Sequence, residues 1–480
     1  MRRRPSARAP LPGFCRPARV HSARARNVRA PARRAVPALA LALIVVICTV
    51  APAMAQTAVA PAMAQTAAAL PVVLIAAPAV AQTRSQAGLD SAIDRILARN
   101  HLAISTVSVA VRDVQADDQV YARNTTTLLA PASNEKLVTS AAALGRWGGN
   151  YRFKTELYST APAPDADGVL RADLDLKGYG DPTLSESWYQ RKVLHLTTSD
   201  LQHFVAAVQA LGVTRIVGSV YGDESQFDQA RLVAGWKPGF EDECAPLSAL
   251  TLNGNSPPDH KVVDPARYAA QELVRLLRAA GIGVTHGAAV GATPAAATLL
   301  HTEYSAPLWR VVKAMDKTSD NFIAEMLVKG LGRDFGAGGT TAAGVKVARD
   351  YLSSIGVPVA QTRLHDGSGL SYKDRLSTAV VTGLLDAVAD KPYFTAYWTA
   401  LPVAGVDGTL RTRMHGTAAA GNLHGKTGTL DIASSLSGFV TTADGHDLVF
   451  SMLMNGHPIN GTAAHKAQDA IGAALAAARL

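Results

Sequence analysis

Cysteine is scarce in this chain: 480 residues hold three, and Cys15 and Cys48 both fall before residue 84. Cys244 is then alone in the body, which excludes an internal disulfide there and leaves the core to hold itself together. No histidine-containing motif points to Cys244, so it reads as a packed thiol and not as a nucleophile. The histidines are scattered without metal-ligand spacing, His365 and His424 included. Acidic residues and lysine are missing altogether from residues 1–83, where eleven arginines stand. The net charge of +9, less the +11 of that segment, leaves −2 for the rest. The body therefore lacks the basic surface that nucleic-acid binding requires, and no nucleic-acid partner is expected.

Long apolar runs are also wanting. The stretch 36–50 has about fifteen apolar residues, short of the roughly twenty that span a bilayer. It follows the arginine-rich run and precedes Ala-Met-Ala-Gln at 53–56. A positive region, a short apolar segment and an A-x-A site together make a secretory signal, so the protein is expected to be exported to a periplasmic or other extracytoplasmic space. The nonapeptide at 50–58 recurs at 59–67, and a second apolar stretch ends in Ala-Gln-Thr at 81–83. The mature terminus is thus expected near 56, 65 or 82. Val-Val-Ile before Cys48 lacks the small residues of a lipidation site. Peripheral membrane association is kept open.

Length allows two or three domains, and 48% hydrophobic with 18% charged residues suits a substantial core. Apolar spacing predicts a helix over 88–100, and alternation predicts a strand pair at 104–111 and 119–121. A helix is expected from Ser133 to Leu144, ended by Gly145. Near the other end, 425–430, 435–441 and 447–454 read as successive strands, followed by an alanine-rich helix over 463–480. Helices at both ends with antiparallel strands between them imply a sheet covered on both faces. From 152 to 307 the pattern changes to short strands, among them 170–177 and 215–221, with one clear helix at 266–280. This block is expected to be an α+β insertion, one or two domains, dividing 84–151 from 308–480.

Three short motifs stand in order: Ser133-Asn134-Glu135-Lys136, Ser319-Asp320-Asn321 and Lys426-Thr427-Gly428. Ser133 is the only serine followed by lysine at the third residue, Ser319 the only one opening an S-x-N, and K-T-G occurs once. Positions i and i+3 share a helix face, so Lys136 can reach the Ser133 hydroxyl. A serine hydroxyl needs a base, and a lysine serves as one only when neutral. Burial and the second cation Lys426 are both expected to favour that. Ser319 is placed to relay a proton to the leaving amine and Asn321 to hold the substrate amide, with Asp320 pointing away. Lys426 and Thr427, opening a strand, suit a terminal carboxylate. Gly428 allows close approach, and an extended peptide can lie along the edge. The backbone N–H groups of Thr429 and Ser133 then form an oxyanion hole.

On these motifs the sequence resembles the penicillin-binding DD-carboxypeptidase/endopeptidases of peptidase family S13. The 182 residues between Lys136 and Ser319 exceed a compact β-lactamase core. The stretches 131–137, 180–184, 366–371 and 401–410 carry the resemblance further, over roughly 88–475. Asp374 stands where the family commonly has asparagine, with no effect on catalysis expected. The resemblance implies a DD-peptidase/β-lactamase-like α+β domain interrupted by the insertion. It implies peptidoglycan stem peptides ending in D-Ala-D-Ala as substrate, acylation by β-lactams at the same serine, and no cofactor or metal. A β-lactam hydrolase and a non-catalytic cell-wall-binding protein are the alternatives.

Overall fold

The computed structural model describes residues 77–100, 102 and 105–480. The leader, with Cys15, Cys48, the repeated nonapeptide and the candidate termini near 56 and 65, lies outside them. The chain from Val80 to Leu480 belongs to one compact unit.

Helix α1 (Ala77–Arg99) leads to strands β1 (Thr106–Asp113) and β2 (Asp118–Arg123), then to α2 (Glu135–Trp147). The third candidate terminus, near 82, falls inside α1. Gly145 does not end α2 as expected; the helix runs on to a cap at Gly148, φ +79°. The Tyr351 ring lies where a Cβ on Gly145 would sit, 2.0 Å from its Cζ, so this glycine serves close packing.

The middle of the chain follows as β3 (Lys154–Ser159), β4 (Val169–Leu170), β5 (Leu174–Gly178), α3 (Ser187–Tyr189) and α4 (Leu201–Ala210). Then come β6 (Arg215–Ile216), β7 (Ser219–Asp223), α5 (Pro265–Ala279), β8 (Gly283–Val284), β9 (Gly287–Val290) and β10 (Thr298–Tyr304). Each of the strands expected at 170–177 and 215–221 is broken in two. β4 and β6 join β8 in a small parallel sheet, while β5 and β7 belong to a five-stranded sheet ordered β10-β3-β5-β7-β9. The break has a local cause: Asp173 Oδ1 accepts from Ser219 N at 2.7 Å, and Asp173 O accepts from Ser159 Oγ at 2.8 Å. The two sheets share a core with α4 and α5 that includes Leu157, Leu170, Phe204, Val220 and Leu273. Helix α5 starts where its sequence says, with Asp264 accepting from Arg267 N and proline at the first turn.

The chain then returns through α6 (Leu308–Thr318), α7 (Asn321–Phe335), α8 (Thr341–Ser354), α9 (Thr378–Ala389) and α10 (Phe394–Ala400). It ends with β11 (His424–Leu430), β12 (Ala433–Thr441), β13 (Asp447–Asn455) and α11 (Gly461–Ala477). The last three strands and the first two form one antiparallel sheet, ordered β11-β12-β13-β1-β2. Its faces alternate as strand geometry requires. Phe439 and Val449 pack with α2, α6, α7 and α9, while Val440 and Phe450 pack with α1 and α11. The expectation of a sheet covered on both faces is met. Strand β11 stands at its edge, next to the segment that carries Ser133.

Candidate active site

Ser133 lies on a 3-10 turn, Ala132–Asn134, just before α2, and not on the α-helix itself. Ala132 is left-handed, with φ +48°, a conformation a residue with a Cβ adopts only when its surroundings impose it. Two glycines supply those surroundings. A Cβ on Gly369 would meet Ala132 O at 1.9 Å, and one on Gly428 would meet Ser133 N at 2.8 Å. The turn is thus clamped between two backbones, with the half-buried Ser133 hydroxyl left accessible.

Lys136 follows one turn later and is fully buried. Its Nζ donates to Ser133 Oγ at 3.0 Å, to Asn321 Oδ1 at 2.7 Å and to Ser368 O at 2.7 Å. The second motif bridges α6 and α7. Ser319 is left-handed, φ +62°, which turns the chain sharply between the helices. The Asp320 carboxylate caps α7 by accepting from Ile323 N at 2.8 Å, and it lines a cavity together with Ser319 and Asn321. Asn321 is engaged at both ends of its amide, since Nδ2 donates to Glu243 O at 2.9 Å. Of the third motif, Lys426 is buried and its Nζ donates to Ser319 Oγ at 2.8 Å and to Thr427 O at 2.9 Å. Thr427 Oγ1 shares a 2.7 Å hydrogen bond with Thr409 Oγ1, and Thr429 is exposed on the edge strand. Asn134 Nδ2 donates to Lys426 O at 2.8 Å, tying the first motif to the third. All eight residues singled out from the sequence lie in this one region of the fold.

Both lysines sit in a low-dielectric site. Burial lowers Lys136 to about 8, against the pull of Asp366, Glu325, Asp320 and Asp316. Burial, then repulsion from Lys136, lowers Lys426 to about 7. Burial is thus the main force on Lys136, and the charges opposing it are carboxylates. His424, expected to be structural, is stacked on Trp398 with ring centroids 3.8 Å apart, and burial pushes it down to about 4. It is therefore neutral at physiological pH. Cys244 is buried beside Phe322 and Met326, and burial pushes its thiol well up, away from nucleophilic character.

Several participants carried no sequence signal. The carbonyls of Ser368 and Glu243 are backbone groups. Glu325, four residues after Asn321, looks like a solvated helix charge but is buried, with Oε1 accepting from Gly367 N at 3.0 Å and Ser368 N at 2.8 Å. Asp374 is buried too; Oδ1 accepts from His365 N at 2.6 Å. Burial, with Asp366 and Glu135 nearby, pushes Asp374 well above the usual carboxylate range. The shift favours the protonated carboxyl, which like the asparagine amide combines a donor with an acceptor.

Residues 89–260 and 256–478 match the D-Ala-D-Ala carboxypeptidase 3 (S13) family. A D-alanyl-D-alanine carboxypeptidase of Actinomadura sp. strain R39 is 32% identical over 494 residues, covering 85% of this chain and 88% of that protein. A carboxypeptidase of Mycolicibacterium smegmatis is 29% identical, covering 82% and 85%. Among solved structures, penicillin binding protein 4 of Haemophilus influenzae superposes with a TM-score of 0.68 at 21% identity, covering 78% of this chain and 98% of that one.

Proposed function

The chain belongs to the S13 D-Ala-D-Ala carboxypeptidase family, and from that footing we propose how its residues work. It is a serine-type DD-peptidase of peptidoglycan stem peptides and is acylated by β-lactams. Lys136, neutral, takes the proton of Ser133 as Oγ attacks the carbonyl of the penultimate D-alanine. The oxyanion is received by the N–H groups of Ser133 and Thr429. Ser319 passes a proton to the departing amine, and the C–N bond breaks with release of the terminal residue. Water then cleaves the acyl-Ser133 ester by the same proton path in reverse. Lys426 and Thr427 receive the terminal carboxylate, Gly428 lets the peptide backbone approach, and Asn321 orients both Lys136 and the substrate amide.

The observation that carries this reading is the 3.0 Å contact between Ser133 Oγ and a buried Lys136 Nζ. Mass spectrometry of the intact protein after penicillin treatment tests it, with Ser133→Ala alongside. A single stable adduct on the wild type alone is expected. Penicillin consumption without an adduct would instead mark a β-lactam hydrolase, and neither would mark a non-catalytic wall-binding protein.

Residues 152–307 are read as the insertion in a catalytic domain made of 84–151 and 308–480; the separate sheets and core of 154–304 support that division. The leader is read as a secretory signal, which puts the enzyme in the periplasm or another extracytoplasmic space. Among the described residues no helix is long and apolar enough to cross a membrane.

A further inference from the structure

The inserted region reaches the catalytic centre. Two of the three acceptors that orient Lys136 Nζ, Asn321 Oδ1 and Ser368 O, are themselves held by groups outside the motifs. Ser368 lies in the loop 366–371, whose backbone is fixed on several sides. Glu325 Oε1 accepts from Gly367 N and Ser368 N. Thr139 Oγ1 donates to Gly367 O at 2.7 Å. Asp366 accepts from Gly369 N and Ser371 N, each at 2.7 Å. Onto this frame the insertion adds two hydrogen bonds. Trp236 Nε1 donates to Asp366 Oδ2 at 2.8 Å, and Glu243 O accepts from Asn321 Nδ2 at 2.9 Å. The segment bearing both is seated by its own apolar contacts, since Phe227, Cys244 and Leu247 pack with Phe322, Met326 and Leu370. Arg231 and Glu224 pair at 2.6 Å at its base.

We propose that Glu325, Asp366 and Trp236 are positioning residues that set Lys136 for proton transfer, and that the insertion is thereby a working part of the catalytic centre. The reasoning is geometric. Proton transfer needs Lys136 Nζ held within hydrogen-bond reach of Ser133 Oγ, and a displacement of about 1 Å typically costs about a hundredfold in rate. Without the brace, the Ser368 carbonyl is held less firmly, by Thr139 on the neighbouring Gly367 O alone, and the acceptor that aims the lysine is free to shift.

The proposal rests on Lys136 as base, and the test separates the two. The second-order rate of penicillin acylation is measured for the wild type, Glu325→Gln, Glu325→Met and Trp236→Phe, with thermal melting in parallel. Glutamine keeps an oxygen for the two N–H groups and should acylate within about fivefold of wild type. Methionine keeps the length without the acceptor and should fall about a hundredfold while still folded at the assay temperature. Its acid limb should also lie at lower pH than that of the glutamine variant, because the Lys136 ammonium has lost a carbonyl partner. Besides Glu325 itself, which both variants lose alike, the titratable groups facing Lys136 are Asp316, Asp320, Asp366, Glu135 and Lys426. Both variants retain them, so their difference isolates the brace. Trp236→Phe keeps an aromatic ring but loses the N–H donor with the pyrrole half of the indole, and should lose about five- to tenfold, the scale of one hydrogen bond, while still folded at the assay temperature. It decides the matter if the methionine variant does not fold. Wild-type rates and profiles in the methionine and phenylalanine variants, or a glutamine variant as slow as methionine, would overturn the proposal. A wild-type enzyme that takes no adduct overturns the function reading instead.

Discussion

Acylation should collapse on the acid side of neutrality, because burial sets the protonation of Lys136. A lysine that ordinarily titrates at 10.5 is lowered to about 8 here, which amounts to about 3 kcal/mol against the buried ammonium. Only the neutral amine can accept the Ser133 proton. Its fraction is about one half at pH 8, about a tenth at pH 7 and about a hundredth at pH 6. The rate should therefore drop about tenfold for each pH unit lost below 8. Rapid-quench mass spectrometry of the penicillin adduct between pH 5.5 and 9 measures this directly, at subsaturating antibiotic. The same burial has a stability counterpart. Between pH 8 and 10.5 the unfolded chain binds the proton that the folded chain has released, so stability should rise with pH across that window. A flat acylation profile from pH 6 to 8 would refute the reasoning, since it would mean that proton removal from Ser133 does not depend on Lys136.

Lys426→Ala should raise KM for D-Ala-D-Ala peptides about ten- to a hundredfold, the scale of a lost charge-assisted hydrogen bond. Acylation by an uncharged ester should change far less, and equal losses on both substrates would remove Lys426 as the carboxylate receptor. Asp374→Asn should leave acylation unchanged and raise the melting temperature at pH 7 but not at pH 4. The folded carboxyl binds its proton more tightly than the unfolded one, so the wild type loses stability as pH rises past 3.8 and the asparagine variant does not. Identical melting curves at both pH values would show that Asp374 is not held in its neutral form.

Much of this was legible in the sequence because side chains carry it. The serine–lysine spacing places two groups on one turn wherever a helix begins, and alternation in 435–441 and 447–454 marks a sheet with two apolar faces. What stayed hidden was carried by backbone or by burial. The carbonyls of Ser368 and Glu243 have no residue-type signature, so their service to Lys136 and Asn321 cannot be read from letters. Glu325 on a helix looks like a solvated charge until α7 is seen packed on every side. Gly145 looked like a helix end because a glycine's use in close packing depends on a distant partner, Tyr351. The strands expected at 170–177 and 215–221 are each interrupted where Asp173 hydrogen-bonds to Ser219 and Ser159, contacts that strand propensity does not report.

The open edge of the sheet has a cost outside catalysis. A strand with unpaired backbone groups is a template for any extended chain, including a second molecule of the same protein. The start of β11 is covered, since Val403 bridges to His424 and Gly425 N donates to Pro402 O at 2.9 Å; over the rest of the strand, protection has to lie in composition. His-Gly-Lys-Thr-Gly-Thr-Leu contains two glycines and a buried lysine in seven residues, a poor sequence for persistent self-pairing. If the peptide lies along this edge as proposed, a strand that holds another chain only weakly also lets a cleaved peptide go, so resistance to aggregation and ease of product release would come from the same few residues.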